Sequence, residues 1–559
     1  MMRIRTIHLL TAAFALSAFA FTPRAYAQQL TEAHLQELIR QATSQVAGGS
    51  AGLAPLPAQA GDSPTLHLSM DDLTKLTLDK NLSIAVQRLN PQINDIALAN
   101  LQTFYHPTVT SGLNQQARTT APTTVLNLST SSAAPTINTF NYNAGWQQAV
   151  QKGGGTFSAS LNNFRQTSTS NTVTYDPLFQ SAWTFNYTQP LLRNFKIDSN
   201  RQQIYVAQVN RDMSDVQLRA TIANTLANAQ KAYWEYVYAT QAVQVAKDSL
   251  DIASRLVADN NTRVEVGTMA PLDVLTAKSQ EATARQQLVL AQATQRNNEI
   301  ALKQFIVSGT DDPTWNSTID ATDQPDFNPQ PIDLQAALRR ALNERTDLLL
   351  AKQTVRENDV ILRYMNDQLK PQTDLSVSYG TTGIGGTAFT RTNLSNATGS
   401  SVTTIPGGIS DAYSSLFRSL YPAWTIGVNF SYPLGQSTQE ATLARARVQQ
   451  NQVNAQIKQT ELQVATDVTN AWTSANNAAE QAEAARVAVD LARSELDAEN
   501  SKFDVGMSTN YNVVLAQQTL SNARQTEARA IANYREALVE LERLQQTTLT
   551  VANITIVGR

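Results

Sequence analysis

Three stretches of this 559-residue chain occur twice, in the same order, and that duplication limits its architecture more than any other feature. His106-Pro107 is answered by Lys370-Pro371 at an offset of 264, and "FNYTQPL" (Phe185 to Leu191) by "VNFSYPL" (Val428 to Leu434) at 243. "RVEVGTMAPLDVLTAKSQEATAR", from Arg263, is answered by "KFDVGMSTNYNVVLAQQTLSNAR", from Lys502, at 239. The offset shrinks along the chain, so a longer insertion lies between Pro107 and Pro190 of the first copy. Periods this long are not those of a solenoid; they predict two structurally equivalent halves. The first repeat is expected over 66–330, with a β region at 107–190 and a long helical hairpin at 197–307. The second is expected over 331–548, with a β region at 371–434 and a helical hairpin at 436–546.

The helical hairpins carry a coiled-coil rhythm. Val206, Val209, Met213, Val216, Ala220, Ala223, Ala227, Gln230, Trp234 and Val237 recur at alternating spacings of three and four, a seam interrupted by Gln230. No proline falls between Asn200 and Ala270. One helix of about 60 residues, about 90 Å long, is therefore predicted, a length that suits a conduit or a spacer.

The β segments have period two. Trp424, Ile426, Val428, Phe430 and Tyr432 alternate with Thr425, Gly427, Asn429 and Ser431; Trp183, Phe185 and Tyr187 alternate with Thr184, Asn186 and Thr188. Leu375, Val377 and Tyr379 repeat the pattern. Strands of about nine to eleven residues, apolar on one face, fit a transmembrane barrel in which Trp183, Phe185, Tyr187, Trp424, Phe430 and Tyr432 face lipid. A half-buried strand of a soluble sandwich is the alternative for any single segment. Two strands per half give four per chain, fewer than the eight or so that a barrel needs. Open sheet edges in hydrocarbon leave N–H and C=O groups unsatisfied, so a ring of identical subunits is expected to close the barrel. A further hairpin is read at Asn141 to Phe164 with its turn at Gly153 to Gly155; its residues leave open whether it joins the barrel or projects outward, with projection the favoured reading.

The rest of the sequence narrows the chemistry. Charged residues make up 16% of the chain and the formal net charge is -3, without the basic excess of a nucleic-acid binder. Residues 1–27 read as a secretory signal peptide: Arg3 and Arg5, an apolar run from Leu9 to Phe21, and small residues around Ala25 to Ala27. Residues 28–65 form an N-terminal extension and linker, and 549–559 a tail. The absence of cysteine excludes disulfides, thiolate metal sites and cysteine nucleophiles. His8, His34, His67 and His106 are scattered without ligand spacing. "GTTGIGG" (Gly380 to Gly386) is expected to be an external loop, because no helix start follows it as a nucleotide turn requires. No catalytic constellation, metal site or cofactor site is expected.

On these residues the chain resembles the TolC-like outer membrane efflux family over 66–548. The resemblance is carried by the duplicated helix–strand–strand–helix plan, by "TQPLLRNF" and "SYPLG" at strand-to-helix transitions, and by "VGTMAPLDVLTAK" and "VGMSTNYNVVLAQ" at helix-to-helix turns. It implies an internally duplicated α+β membrane protein, a homotrimer. A long α-helical coiled-coil barrel would cross the periplasm, and a twelve-stranded antiparallel β-barrel, completed by trimerisation, would sit in the bacterial outer membrane. It also implies docking on a periplasmic adaptor and an inner-membrane pump, and makes the repeated turn the periplasmic tip. Val266, Gly267, Thr268, Met269 and Ala270, with Val505, Gly506, Met507, Ser508 and Thr509, are then the candidate adaptor-contact residues, with plain tight turns as the alternative. Gly267 and Gly506 suit a left-handed helix end, and Pro271 a helix start. Family members place acidic residues just after this turn as a constriction. Here Asp273 holds that position in the first copy and Asn512 in the second, while Asp273 is equally suited to complement a helix dipole. The function implied is a passive exit duct for small molecules. A type I secretion duct for polypeptides shares the fold. A periplasmic coiled-coil adaptor or scaffold is the alternative of a different class, and it would lack the aromatic strand alternation.

Overall fold

The computed structural model describes residues 65–121, 134–170, 172–267, 270–323, 327–329, 331–392, 401–435 and 437–548, all within the compact unit Ala58–Arg559. The signal peptide, nearly all of the N-terminal extension, the tail, Thr268 and Met269 lie outside the described residues.

The first half opens with β1 (Thr65–Leu68), α1 (Met70–Lys80) and α2 (Leu82–Gln102), followed by four strands: β2 (Thr108–Thr119), β3 (Thr136–Ala149), β4 (Thr156–Ser168) and β5 (Tyr175–Pro190). Two helices complete it, α3 (Ser199–Glu265) and α4 (Pro271–Ile306). After β6 (Thr318–Ala321), the second half repeats the plan with α5 (Leu334–Glu344), α6 (Thr346–Gln368), β7 (Gln372–Thr392) and β8 (Ser401–Ile405). It ends with α7 (Ile409–Phe417), β9 (Tyr421–Ser431), α8 (Thr438–Asp504) and α9 (Asn510–Leu544).

The duplication holds at single residues. Asn81 ends α1, its amide donating to the Thr77 carbonyl at 3.1 Å. Its Oδ1 starts α2 by accepting from the Ser83 and Ile84 amides at 3.0 and 3.2 Å. At the equivalent break, 264 positions on, the Arg345 amide donates to Ala341 at 3.0 Å. The long helices begin on side-chain caps in both copies. Asp198 accepts from the Arg201 amide at 2.8 Å. Ser437 and Glu440 form a reciprocal capping box at 3.2 and 3.5 Å.

Both α3 and α8 have 67 residues, about 100 Å of helix. Ala220, Ala223, Ala227, Trp234 and Val237 of the predicted seam are buried on α3. Ile222, Leu226, Ala229, Tyr233 and Tyr236 widen the stripe, because α3 packs against α1, α2, α4, α6 and α9. The main apolar cluster joins Leu68, Leu73, Tyr233, Leu302, Ile306 and Ile319. There β1 pairs in parallel with β6, and the Tyr233 hydroxyl donates to the Leu68 carbonyl at 3.1 Å and Asp323 Oδ2 at 2.9 Å. The second half has a matching cluster of Ala341, Leu348, Val464, Val468 and Leu541.

The sheet departs from expectation in three ways. Among the described residues it has seven strands, ordered β2-β3-β4-β5-β7-β8 with β9 also on β7, where two strands per half were expected. The additional hairpin does not project. Its strands, β3 and β4, are 14 and 13 residues long and lie between β2 and β5, paired along their lengths. The same alternation that marks the other strands runs through them, so they can take interior places in a two-faced sheet. Gly380 to Gly386 is not an external loop but the middle of the 21-residue β7. The strand returning beside β7 is broken there: β8 covers Ala388 to Thr392, β9 covers Gln372 to Thr382, and α7 lies between them. Ser415 of α7 fills the gap, accepting from the Ile384 amide at 2.9 Å and donating to its carbonyl at 3.3 Å. An ideal Cβ on Gly383 would fall 1.9 Å from the Ala412 carbonyl oxygen, and one on Gly385 2.4 Å from the Ala412 nitrogen. Glycine at both positions is what lets the helix lie against the strand.

Candidate functional site

Two regions carry chemistry that a globular core does not need: the turns at the ends of the long helices, and the two faces and edges of the sheet. At the turns, Gly267 and Gly506 adopt φ of +76° and +80°. In the second copy the Gly506 amide donates to Phe503 at 3.1 Å and that of Met507 to Lys502 at 2.8 Å, a Schellman closure. The first copy shows the matching bond from Gly267 to Val264 at 3.0 Å. Pro271 is the first residue of α4, and the Asp273 amide donates to the Ala270 carbonyl at 3.0 Å.

The fold brings the two turns together. The Arg263 guanidinium stands 4.4 Å over the Phe503 ring and 3.7 Å from Asp504. In the second turn, hydrogen bonds from Lys502 and Ser508 hold the Glu499 carboxyl below its ordinary range. Asn512 Nδ2 donates to Ser508 Oγ at 3.3 Å, so Asn512 is tied back into its own turn. Asp273 is half-buried, in the first turn of α4.

Around these turns lies an apolar collar. Val266, Val505 and Met507 are 68%, 71% and 80% exposed. Leu272, Leu275 and Tyr511, which the sequence reading passed over, are exposed to a similar degree. Their signal was available: they fall in the first turns after each glycine, off the buried stripe of Ala277, Val513 and Val514.

The two faces of the sheet differ in kind. Cross-strand partners share a face. The register therefore puts Val109, Trp146, Phe157, Phe185, Tyr379 and Trp424 on one side, with Trp183, Tyr187, Ile426, Val428 and Phe430. Ring centroids along this face lie 4.8 Å apart for Trp146–Phe157, 4.1 Å for Phe157–Phe185 and 5.3 Å for Trp183–Tyr379. Tyr432 follows β9 directly. The opposite face carries Asn143, Ser158, Ser160, Thr184, Asn186 and Ser378. Asn163, Ser181 and Thr381 are exceptions on the apolar face, and they are buried where α7 crosses it; the Tyr413 hydroxyl reaches Asn163 Oδ1 at 3.4 Å. Strands β2 and β9 have no partner on their outer sides among the described residues, and Leu113 and Trp424 are 75% and 71% exposed.

Among the described residues, no group of His, Cys, Asp and Glu could hold a metal ion, and no helix is long and apolar enough to cross a membrane.

Known proteins share this arrangement. The fold is similar to the Campylobacter jejuni CmeC outer membrane channel, with a TM-score of 0.59 at 12% identity over 88% of this chain and 90% of that one. It is similar to VceC, an outer membrane protein of Vibrio cholerae, with a TM-score of 0.59 at 14% identity over 85% and 95%. The open state of the Neisseria gonorrhoeae MtrE outer membrane channel gives 0.57 at 15% over 85% and 88%. No curated protein sequence matches the chain. The sequence model of the outer membrane efflux proteins matches residues 133–306 and 337–545, most of both halves. With the one-sided apolar sheet and the paired long helices, that match places the chain in the outer membrane efflux protein family, whose members are channels of the bacterial outer membrane with their helical portions in the periplasm.

Proposed function

We propose that this protein is the exit duct of a tripartite efflux system. Three copies close one barrel in the outer membrane, and their helices form a conduit across the periplasm. Small molecules pass through passively, with energy supplied by an inner-membrane pump reached through a periplasmic adaptor. One observation carries this reading. A single chain holds both a sheet apolar on one face and open at two edges, and paired 67-residue helices ending in exposed apolar turns. The sheet edges call for further copies of the chain. The exposed collar calls for a partner at the far end.

In this reading Trp183, Phe185, Tyr187, Trp424, Phe430 and Tyr432 face lipid. The adaptor takes the turn residues Val266 to Ala270 and Val505 to Thr509, with Leu272, Leu275 and Tyr511 adding apolar area. Asp273 gives one carboxylate per protomer at the periplasmic mouth. Asn512, hydrogen-bonded to Ser508, adds a neutral group there.

The test is the oligomer mass of the detergent-solubilised protein together with its single-channel conductance in planar bilayers. A trimer with small, mostly closed, cation-preferring conductance is expected. Asp273→Ala should raise the conductance and weaken the cation preference. A water-soluble protein without bilayer activity would overturn the duct.

A further inference from the structure

We propose that each protomer contributes six strands to the barrel, so that the trimer closes eighteen strands around an exit wider than a twelve-stranded one. This rests on the trimeric-duct reading above. The inference comes from the hairpin β3–β4, which no part of the duplication required.

Four observations place it in the wall. Both strands are long enough to span the hydrocarbon, which takes about 9–11 residues: β3 has 14 and β4 has 13. They are also the inner neighbours of β2 and β5, so removing them from the ring would break two full ladders. Further, the polarity of both faces runs through them without interruption. Trp146, Phe157 and Leu161 continue the apolar face, and Asn143, Ser158 and Ser160 the polar one.

The last observation is that the hairpin turn is built into the base of the sheet. Gly153 and Gly154 have φ of +81° and +69°. Gln189 Nε2, at the end of β5, donates to the Gly153 carbonyl at 2.8 Å, and Gln148 Nε2 to the Tyr105 carbonyl at 3.3 Å. A Cβ on Gly154 would come within 2.8 Å of both Arg201 Nη2 and the Asn194 carbonyl oxygen. The turn thus rests on the junction where β5 passes into α3.

The ring then closes by one type of contact. β2 leaves the helical end and β9 returns to it, so the two open edges run antiparallel and one protomer's β9 can pair with β2 of the next. β8 only extends the return path above β9 and adds no further column. With strands spaced about 4.8 Å and tilted about 40°, eighteen strands make a ring about 36 Å across, against about 24 Å for twelve. The exit area roughly doubles with it. Its mid-span is lined by hydroxyls and amides such as Asn143, Ser158, Ser160 and Asn186. Such a wall admits bulky, hydrogen-bonding solutes and does not sort them by charge.

The chain has no cysteine, so single cysteines report cleanly. Ser160 is the cross-strand partner of Thr184, and Leu161 of Trp183, at matched depths. Trimers in lipid vesicles carrying Ser160→Cys, Leu161→Cys, Thr184→Cys or Trp183→Cys are treated with a membrane-impermeant maleimide, with Ala159→Cys as a second apolar-face position. Labelling at Ser160 and Thr184, and its loss at Leu161, Ala159 and Trp183, is the expected result. If the Thr184 and Trp183 positions differ in this way but Ser160 and Leu161 both label, the hairpin lies outside the wall. The eighteen-stranded barrel then falls while the duct stands. If Thr184 and Trp183 also label alike, the barrel reading itself fails. A density map of the same trimers counts the strands directly, and twelve would overturn the proposal.

Discussion

At the residue scale, Gly506 halts a 67-residue helix at φ +80° with no atom within 4 Å of the side chain it lacks. An alanine there meets no neighbour, so its cost is conformational alone, about 1 kcal/mol. Gly506→Ala should leave the fold intact and speed amide exchange at Met507, whose N–H closes the turn onto Lys502, by about fivefold. Unchanged exchange would mean that the turn tolerates the side chain. A second residue responds to pH. Glu536 on α9 is half-buried beside Glu235; burial first, then that like charge, against Arg529 and Lys231, pushes its carboxyl up to about 7. The folded state keeps a proton that the unfolded chain releases near its ordinary value of 4.5. The associated stability is complete below about 4.5 and is lost as pH rises through about 7. Glu536→Gln has no proton to lose, so its melting temperature should exceed that of the parent at pH 8 and converge with it at pH 5. An equal difference at both pH values would exclude the titration as its cause. Glycine at the turns was legible in the sequence because a left-handed helix end has few solutions; the Glu536 environment was not, because Glu235 lies 301 positions away on another helix.

At the scale of single elements, α7 and β7 show how composition can mislead. Gly380 to Gly386 reads as a loop because glycine in alternate places erases the apolar beat of a strand. Those glycines answer a helix that arrives some 25 residues later, and no local pattern announces it. Gly383→Val pushes a side chain into the Ala412 carbonyl and the Leu416 amide, an overpacking that costs about 1–3 kcal/mol. It should lift α7, uncover Asn163, Ser181 and Thr381, and lower the yield of membrane-inserted protein. Gly112→Val on β2, where no atom lies within 4 Å, is the matched control and should insert normally. Equal yields would mean that α7 is dispensable. The hairpin β3–β4 teaches the reverse lesson. Its alternation was visible at Trp146, Phe157 and Leu161, but the second half has no counterpart for it, and which strands it pairs with is not written in its own residues.

For the whole molecule, what could be read early was whatever is written locally and repeated: the long helices from a proline-free run with a heptad seam, the paired helix-to-helix turns, and the strand faces from period two. What could not be read was the number of neighbours each element has. The seam on α3 says nothing of how many partners it has, and the buried stripe is wider than the seam because five helices press on it. Strand count likewise depends on pairings that no single strand encodes.

The paired lengths carry a last consequence. Helices α3 and α8 match at 67 residues, and their return helices α4 and α9 at 36 and 35. The reach of the molecule is therefore fixed four times over. Lengthening one helix alone would throw its turn out of level with the other and part Arg263 from Phe503. To fit a deeper or shallower compartment, such a chain must change all four helices together, in steps of about seven residues or about 10 Å that keep the seam in phase. It is a ruler with coarse divisions.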